Sequence, residues 1–259
     1  NNFSFNISLA NPQLWWPHGH GDQILHHFFL TVETRGQLEQ RERKIGIRDV
    51  TIKRAKDERG ESFEIYVNNM PIYSKGANWI PADYFVERLD IEDYKRLLND
   101  AKRANMNTLR IWGGGIYEPD HFYELCDEMG IMVWQDFMFA CSMYPADDSF
   151  LESVDKEARY QVNRLKSYAS VILWCGNNEV ASAWLSWGWK EDLPDSIWED
   201  YRKLFHELLP KVCSELDPQR LYWPSSPCHG TDQSNQDQIY GKGDNHYWGV
   251  WHGGDDFNA

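Results

Sequence analysis

The sequence has no run of about 18 apolar residues, so no segment reads as a membrane-spanning helix. It has no C-x-x-C pair. The five cysteines (Cys126, Cys141, Cys175, Cys213, Cys228) are odd in number and widely spaced. That pattern argues against a zinc knuckle, a redox pair or a disulfide framework, and the cysteines read mostly as buried thiols. Positive charge is scarce: 26 Lys and Arg stand against 40 Asp and Glu, a net charge of −14. An acidic surface repels phosphate backbones, so neither nucleic acid nor a membrane is an expected partner. The opening residues, NNFSFNISLANP, lack the charged leader and apolar core of a signal peptide. Two N-x-S matches, at Asn2 and Asn6, leave the compartment open. Gly113–Gly115 lacks the Lys-Ser/Thr of a phosphate loop and the spacing of a dinucleotide fingerprint, and is expected to be a tight turn with close backbone approach. His18, His20, His26 and His27 have no carboxylate or Cys placed to complete a tetrahedral set, so no metal or other cofactor is expected.

Aromatic residues, by contrast, are abundant. Thirteen Trp within a 15% aromatic content supply flat, rigid rings that either pack a large core or stack on sugar faces. The hydrophobic content of 42% suffices for a sizeable core, and 259 residues allow one large domain or one large and one small. Up to about residue 55 the chain reads as strands. Phe3, Phe5, Ile7 and Leu9 alternate with polar residues, and further strands are expected at 24–33, 37–43 and 45–53, part of an antiparallel sandwich. After a polar turn at 56–61, KDERGE, a hairpin is expected about Asn68–Asn69.

From there strands and helices alternate. Helices are expected at 91–104, 119–129, 149–168 and 195–216, the last broken or bent near Pro210. The third opens with Ser149 three residues before Glu152, a capping-box spacing. Strands are expected near residues 72, 108, 131, 171, 221 and 246. Six such units in one direction predict an incomplete (β/α)8 barrel. A doubly wound sheet is the alternative, but its first turn is usually Gly-rich and here it reads GANWIPADYF.

The stretch 171–179, VILWCGNNE, concentrates the chemistry: a buried strand runs into amides and one carboxyl, Glu179. Glu179 has two readings, a general acid/base at the C-terminal end of a barrel strand or a carboxylate capping the next helix. The other strand ends carry Asn78–Trp79, Arg110 with Trp112, Gln135–Asp136, Ser225–Ser226 and His246–Tyr247–Trp248. In a barrel these ends converge on one face, and such a set suits a neutral polyol. Any single Trp has core packing as its plain reading. Trp112 and Trp187, close to Gly in loops, read more readily as exposed walls.

Three motifs then carry a resemblance. RIWGGGIYE at 110–118, LWCGNNE at 173–179 and KGANWIP at 75–81 resemble glycoside hydrolase family 2, in its β-mannosidase branch. LWWPHGHGDQ at 14–23 and KIGIRDV at 44–50 resemble that family's immunoglobulin-like sandwich just before the catalytic barrel. The resemblance implies residues 1–58 as part of the sandwich and 59–259 as about six of the eight barrel strands. It implies a retaining exo-β-mannosidase that removes terminal non-reducing mannose from oligosaccharides or glycoconjugates, using two carboxyls about 5–5.5 Å apart.

On the same resemblance Glu179 is the acid/base. Asn178 bonds the sugar 2-hydroxyl, and Arg110 orients the nucleophile. Trp112, Trp187, His246 and Tyr247 wall the terminal-sugar subsite. Asp136 either binds a hydroxyl or ties strands together. Two carboxylates at that spacing repel by roughly 3 kcal/mol, enough to lift a Glu into the range where a general acid works; without the partner Glu179 is expected to titrate lower. The family's nucleophile is a Glu ending the seventh strand. The sequence ends soon after the expected sixth, and none of Glu118, Glu191, Asp244 or Asp255 has the context to replace it. The 259 residues are therefore expected to be a piece that lacks its nucleophile and is inactive alone. Another family 2 glycosidase (acting on β-galactosides, β-glucuronides or β-glucosaminides) and an inactive carbohydrate-binding relative are the competing functions. The resemblance is compatible with a secreted, periplasmic or lysosome-like compartment.

Overall fold

A computed structural model describes residues 6–58, 60–228 and 242–258. Phe3, Phe5 and Asn2 lie outside the described residues. Ile7 and Leu9 are exposed and form no strand: alternation makes a strand only where a neighbour supplies hydrogen bonds.

Strands β1 (His26–Thr34) and β2 (Gln37–Ile45) pair antiparallel from His26↔Ile45 to Thr34↔Gln37. Arg35 and Gly36 both have positive φ, as a two-residue hairpin turn requires. The expected strand at 45–53 is divided: Ile45 ends β2, and β3 is Val50–Lys53. The break falls at Gly46, where a Cβ would stand 2.6 Å from that of Ala169. β3 pairs antiparallel with β4 (Glu64–Val67), and β4 with β5 (Met70–Ile72) about Asn68–Asn69, both at positive φ as expected of that hairpin. This three-stranded sheet crosses the polar turn, with one strand before residue 58 and two after.

The barrel's first strand is not at residue 72. Ile72 ends β5, and the parallel sheet begins with β6, Gly76–Trp79. A Cβ on Gly76 would lie 1.7 Å from the Thr108 carbonyl oxygen, so only glycine lets this strand approach its neighbour. β7 (Thr108–Ile111), β8 (Met132–Asp136), β9 (Val171–Cys175) and β10 (Leu221–Trp223) follow, every pair parallel and in sequence order across the sheet. An order without a switch point is that of a barrel, not of a doubly wound sheet. The strand expected near 246 is absent: 245–248 is irregular and 249–253 forms a wide helical turn. The fold is thus part of a (β/α)8 barrel, five strands among the described residues, preceded by antiparallel strands of a sandwich.

Helices α1 (Ile91–Arg103), α2 (Asp120–Met129) and α3 (Asp148–Leu165) fall where the 3.6-residue period places them. α1 carries a capping box between Asp90 and Asp93. α3 is capped by Asp147, not Ser149: its carboxylate accepts from the backbone N–H of Ser149 and Phe150. An Asp two residues earlier captures the free N–H groups first. α4 (Val180–Ser186) and the short α5 (Trp189–Asp192) follow β9. The long helix is broken, one of the two outcomes expected, just before Pro210. It runs as α6 (Asp195–Arg202), a π-helical stretch Lys203–Leu208, and α7 (Leu209–Leu216). Pro210 has no N–H for the carbonyl four residues back, and the wider turn absorbs the misfit.

The tryptophans divide between the core and the surface. Trp15, Trp174 and Trp223 are fully buried in the core. Four cysteines are buried as expected; Cys141 is the exception and is exposed. Arg48 donates to the carbonyls of Ala169 and Val171, both at 2.9 Å, and so ties the antiparallel region to the N-terminal end of β9. Reactive groups lie at the opposite end. No helix among the described residues is long and apolar enough to cross a membrane.

Candidate active site

β9 is buried at every position, and beyond Cys175 its chain continues in extended pairing: Asn178 bridges Ala140 on one side and Ser226 on the other. Glu179 then turns into left-handed backbone, φ 59° and ψ 9°, to start α4. A non-glycine residue there costs about 1–3 kcal/mol and is held by its surroundings. The Glu179 N–H donates to the Ser226 carbonyl at 2.9 Å. The helix-capping reading of Glu179 fails on geometry, because its side chain makes no cap hydrogen bond. Asn177 does that work, its Oδ1 accepting from the Val180 N–H at 3.1 Å and from the Ser225 hydroxyl at 2.7 Å. Glu179 is thereby released toward a cavity of about 540 Å3.

Trp112, Asn178, Glu179, His246 and Tyr247 all line that cavity, together with Asn78, Cys141, Trp248 and Trp251. Five of the expected site residues are therefore brought together from three loops. Arg110 and Asp136 hold others in place without lining it. The Asp136 carboxylate is wholly buried and accepts four hydrogen bonds. Oδ1 takes Arg110 Nε at 3.2 Å and Trp134 Nε1 at 3.0 Å; Oδ2 takes Arg110 Nη2 at 2.8 Å and the Gly113 N–H at 3.0 Å. Of its two expected roles, strand tie and hydroxyl binder, this is the first, since both oxygens are already filled. Burial pushes the Asp136 carboxyl up, against the pull of Arg110. The same burial pulls the Arg110 guanidinium down, and Asp136 together with the other groups around it, Cys175 and Asp244, more than offsets it. Gly113 shows the close approach expected of it: a Cβ there would lie 2.4 Å from the Phe139 carbonyl oxygen.

Arg110 also reaches the cavity residues. Its Nη2 donates to Asn178 Oδ1 at 3.0 Å, and its Nη1 stands 3.4 Å from His246 Nε2. His246 Nδ1 is 2.7 Å from Glu179 Oε1, their side chains 19% and 12% exposed. Trp248 Nε1 donates to the same oxygen at 3.3 Å. The bond from His246 is the main reason the Glu179 carboxyl lies below the ordinary carboxylate range, with burial opposing it. Behind His246, the Ser226 hydroxyl lies 3.0 Å from Nε2 and donates to Asp244 at 2.6 Å.

Trp187 is not brought to this cavity. It follows the seven-residue α4, is half exposed and packs edge-on against Trp189, 5.8 Å between ring centroids. Just over two helical turns separate it from Glu179, a rise of about 12 Å. Cys141 and Trp251 were not singled out by sequence reasoning as site residues, whereas Ser226 was named among the strand-end groups. Trp251 could have been found as the next aromatic of the run after Trp248; Cys141 carries no local signal at all.

A barrel rim with one inward carboxyl, amides and indoles, matched to close relatives, decides the family. A goat (Capra hircus) protein named beta-mannosidase is 44% identical over 224 residues, 84% of this chain and 25% of that protein. Beta-mannosidase B of Aspergillus clavatus is 37% identical over 256 residues, 96% of this chain and 30% of that protein. The crystal structure of a beta-D-mannosidase from Dictyoglomus thermophilum superposes with a TM-score of 0.87 at 46% identity, over 97% of this chain and 30% of that one. The chain belongs to the β-mannosidase branch of glycoside hydrolase family 2. No family model matches it. An exo-chitosanase from Amycolatopsis orientalis, at 22% identity and a TM-score of 0.64, shares the fold. The family 2 chain described here spans 25% to 30% of the length of these mannosidase relatives.

Proposed function

We infer that the whole protein carrying this chain hydrolyses terminal β-mannosides with retention of configuration, and that Glu179 is its acid/base. The observation that carries this reading is the placement of Glu179. It lies at the C-terminal end of a barrel strand, freed from helix capping by Asn177, and turned into a cavity walled by Trp112, Tyr247 and Trp248. The cavity volume lies in the usual range for small-molecule sites, about 300–1,000 Å3. Glu179 protonates the departing oxygen and then takes a proton from water; Asn178 bonds the sugar beside the anomeric carbon; the indoles and Tyr247 stack on or border its ring.

Retention needs a second carboxyl about 5–5.5 Å away to act as nucleophile. Glu179 is the only acidic side chain among the described residues lining the cavity. We assign the nucleophile to a Glu on a later strand of the complete barrel. The electrostatics support that assignment: within this chain Glu179 is held below its ordinary range by His246, whereas a general acid must still carry its proton near neutrality. A second carboxylate supplies the missing upward push.

The test is turnover of p-nitrophenyl β-mannoside and of an unactivated mannobioside. The complete protein is expected to hydrolyse both. Glu179→Gln is expected to lose about 100- to 10,000-fold on the mannobioside and much less on the activated substrate. Unimpaired mannobioside turnover in Glu179→Gln refutes the role of Glu179. Rapid turnover by the 259 residues alone refutes the external nucleophile. Chromogenic sugars differing at C2, C4 and C6 separate a β-mannosidase from the family's other activities.

A further inference from the structure

The two oxygens of Glu179 have unlike surroundings. Oε1 faces His246 Nδ1 at 2.7 Å and accepts from Trp248 Nε1 at 3.3 Å. An indole N–H can only donate. With Trp248 occupying one side of Oε1, a proton there could point only at His246 Nδ1, which would hold it back from the substrate when bare and repel it when protonated. Among the described residues Oε2 has one hydrogen-bonding neighbour, the Cys141 thiol, with Sγ at 3.7 Å. Sulfur is a weak donor and a weak acceptor, so it tolerates Oε2 both with and without a proton.

The thiol is itself directed by a chain of bonds whose sense cannot be reversed. A guanidinium only donates, so Arg110 Nη2 fixes Asn178 Oδ1 as an acceptor at 3.0 Å. The Asn178 amide must then present its Nδ2, which donates to Cys141 Sγ at 3.2 Å. With its sulfur accepting on that side, Cys141 has its S–H left for Glu179. The backbone of Cys141 is held for this purpose at φ 48°, left-handed, with its N–H on the Asn178 carbonyl at 2.9 Å.

We propose that the catalytic proton of Glu179 is carried on Oε2, and that Cys141 is the positioning residue that aims this oxygen and stabilises it when ionised. The proposal rests on the acid/base reading of Glu179 and adds to it which oxygen acts and which residue tunes it. In the acid step Oε2–H gives its proton to the departing glycosidic oxygen, the bond from that oxygen to the anomeric carbon breaks as the nucleophile carboxylate of the complete barrel bonds to that carbon, and the thiol turns its hydrogen onto the new Glu179 carboxylate. When water attacks the anomeric carbon, the bond to the nucleophile carboxylate breaks, one proton of that water passes to Oε2, and the S–H turns away. Although the residue is exposed overall, partial burial of its sulfur holds the thiol above its ordinary range, so it stays protonated through the cycle. The titratable and charged groups facing Glu179 are Cys141 and His246 directly, Arg110 and Asp136 beyond Asn178, and Asp244 beyond Ser226.

The test is the alkaline limb of kcat/KM for mannobioside hydrolysis by the complete enzyme, which reports loss of the acid's proton. Cys141→Ala removes the donor to ionised Oε2 and is expected to move the limb to higher pH, by about half a unit, a threefold change in the ionisation constant. Cys141→Ser keeps a donor and is expected to return the limb to, or below, the wild-type position. A purely structural role lowers the rate equally at all pH and leaves the limb in place. An unmoved limb in Cys141→Ala overturns the proposal, as does a Ser variant that follows Ala upward. If Glu179→Gln retains full mannobioside activity, the acid/base reading itself fails, and that failure is seen independently of any Cys141 variant.

Discussion

Replacing Asp136 by Asn should destabilise the barrel severely, although the two side chains have nearly the same shape. The carboxylate accepts two donors on each oxygen, and each pair includes one guanidinium N–H of Arg110. An amide keeps one oxygen and turns an NH2 toward the other pair. Whichever way it is flipped, two buried donors lose their acceptor, one of them from Arg110. Each such loss costs about 1–3 kcal/mol. The sum, about 4 kcal/mol, agrees with the roughly 3–5 kcal/mol for breaking a buried ion pair from one side. At about 2–4 °C per kcal/mol for a domain of this size, melting followed by calorimetry should fall by roughly 8–16 °C. Removing both partners, as Arg110→Met with Asp136→Leu, should recover only part of that loss: no buried charge is left alone, but the Trp134 indole N–H and the Gly113 N–H still lack their acceptor. It should not recover mannoside turnover, because Asn178 loses the donor that orients its amide. A melting point within about 2 °C of wild type in Asp136→Asn would refute the reasoning.

Three further outcomes follow from the same geometry. In His246→Ala the carboxylate of Glu179 loses its strongest donor. Since Glu179 is held below 4.5, the pair contributes stability above that pH and loses it as pH falls through the lowered value. Wild type and variant should therefore differ by about 1–2 kcal/mol at pH 7 and converge in acid, read by urea titration at several pH values. Gly113→Ala drives a Cβ to 2.4 Å from the Phe139 carbonyl oxygen and 2.8 Å from that of Phe137, and should lower stability by about 1–3 kcal/mol in thermal melts. Trp112→Ala should raise KM for mannosides about tenfold with a smaller effect on melting, since the indole borders the cavity and is not part of the buried core.

Local pattern was enough for the architecture. The apolar run of β9, the period of α1 to α3, the two-Asn hairpin and the break at Pro210 all report on which face of a short segment seeks burial, or on which backbone angles a residue permits. Those are properties of neighbours along the chain. The carboxyl after β9 stood out for the same reason, since a fully buried strand ending in amides and an acid is visible without folding anything. Where periodicity misled, a contact from far along the chain had intervened: Ile72 went to a hairpin, and Gly76 began the barrel because Thr108 lies against it.

The site needed the assembled sheet. Arg110 meets His246 across 136 positions, and Glu179 meets His246 across 67. No spacing rule spans such gaps, because parallel register and loop path set them. Folding assigned the cap to Asn177 and left Glu179 free, filled both oxygens of Asp136, placed Trp187 outside the cavity, and turned Cys141 toward one oxygen of the acid. Chemical type could nominate these residues, but which atom faces which depends on distances that arise only when distant strands lie side by side.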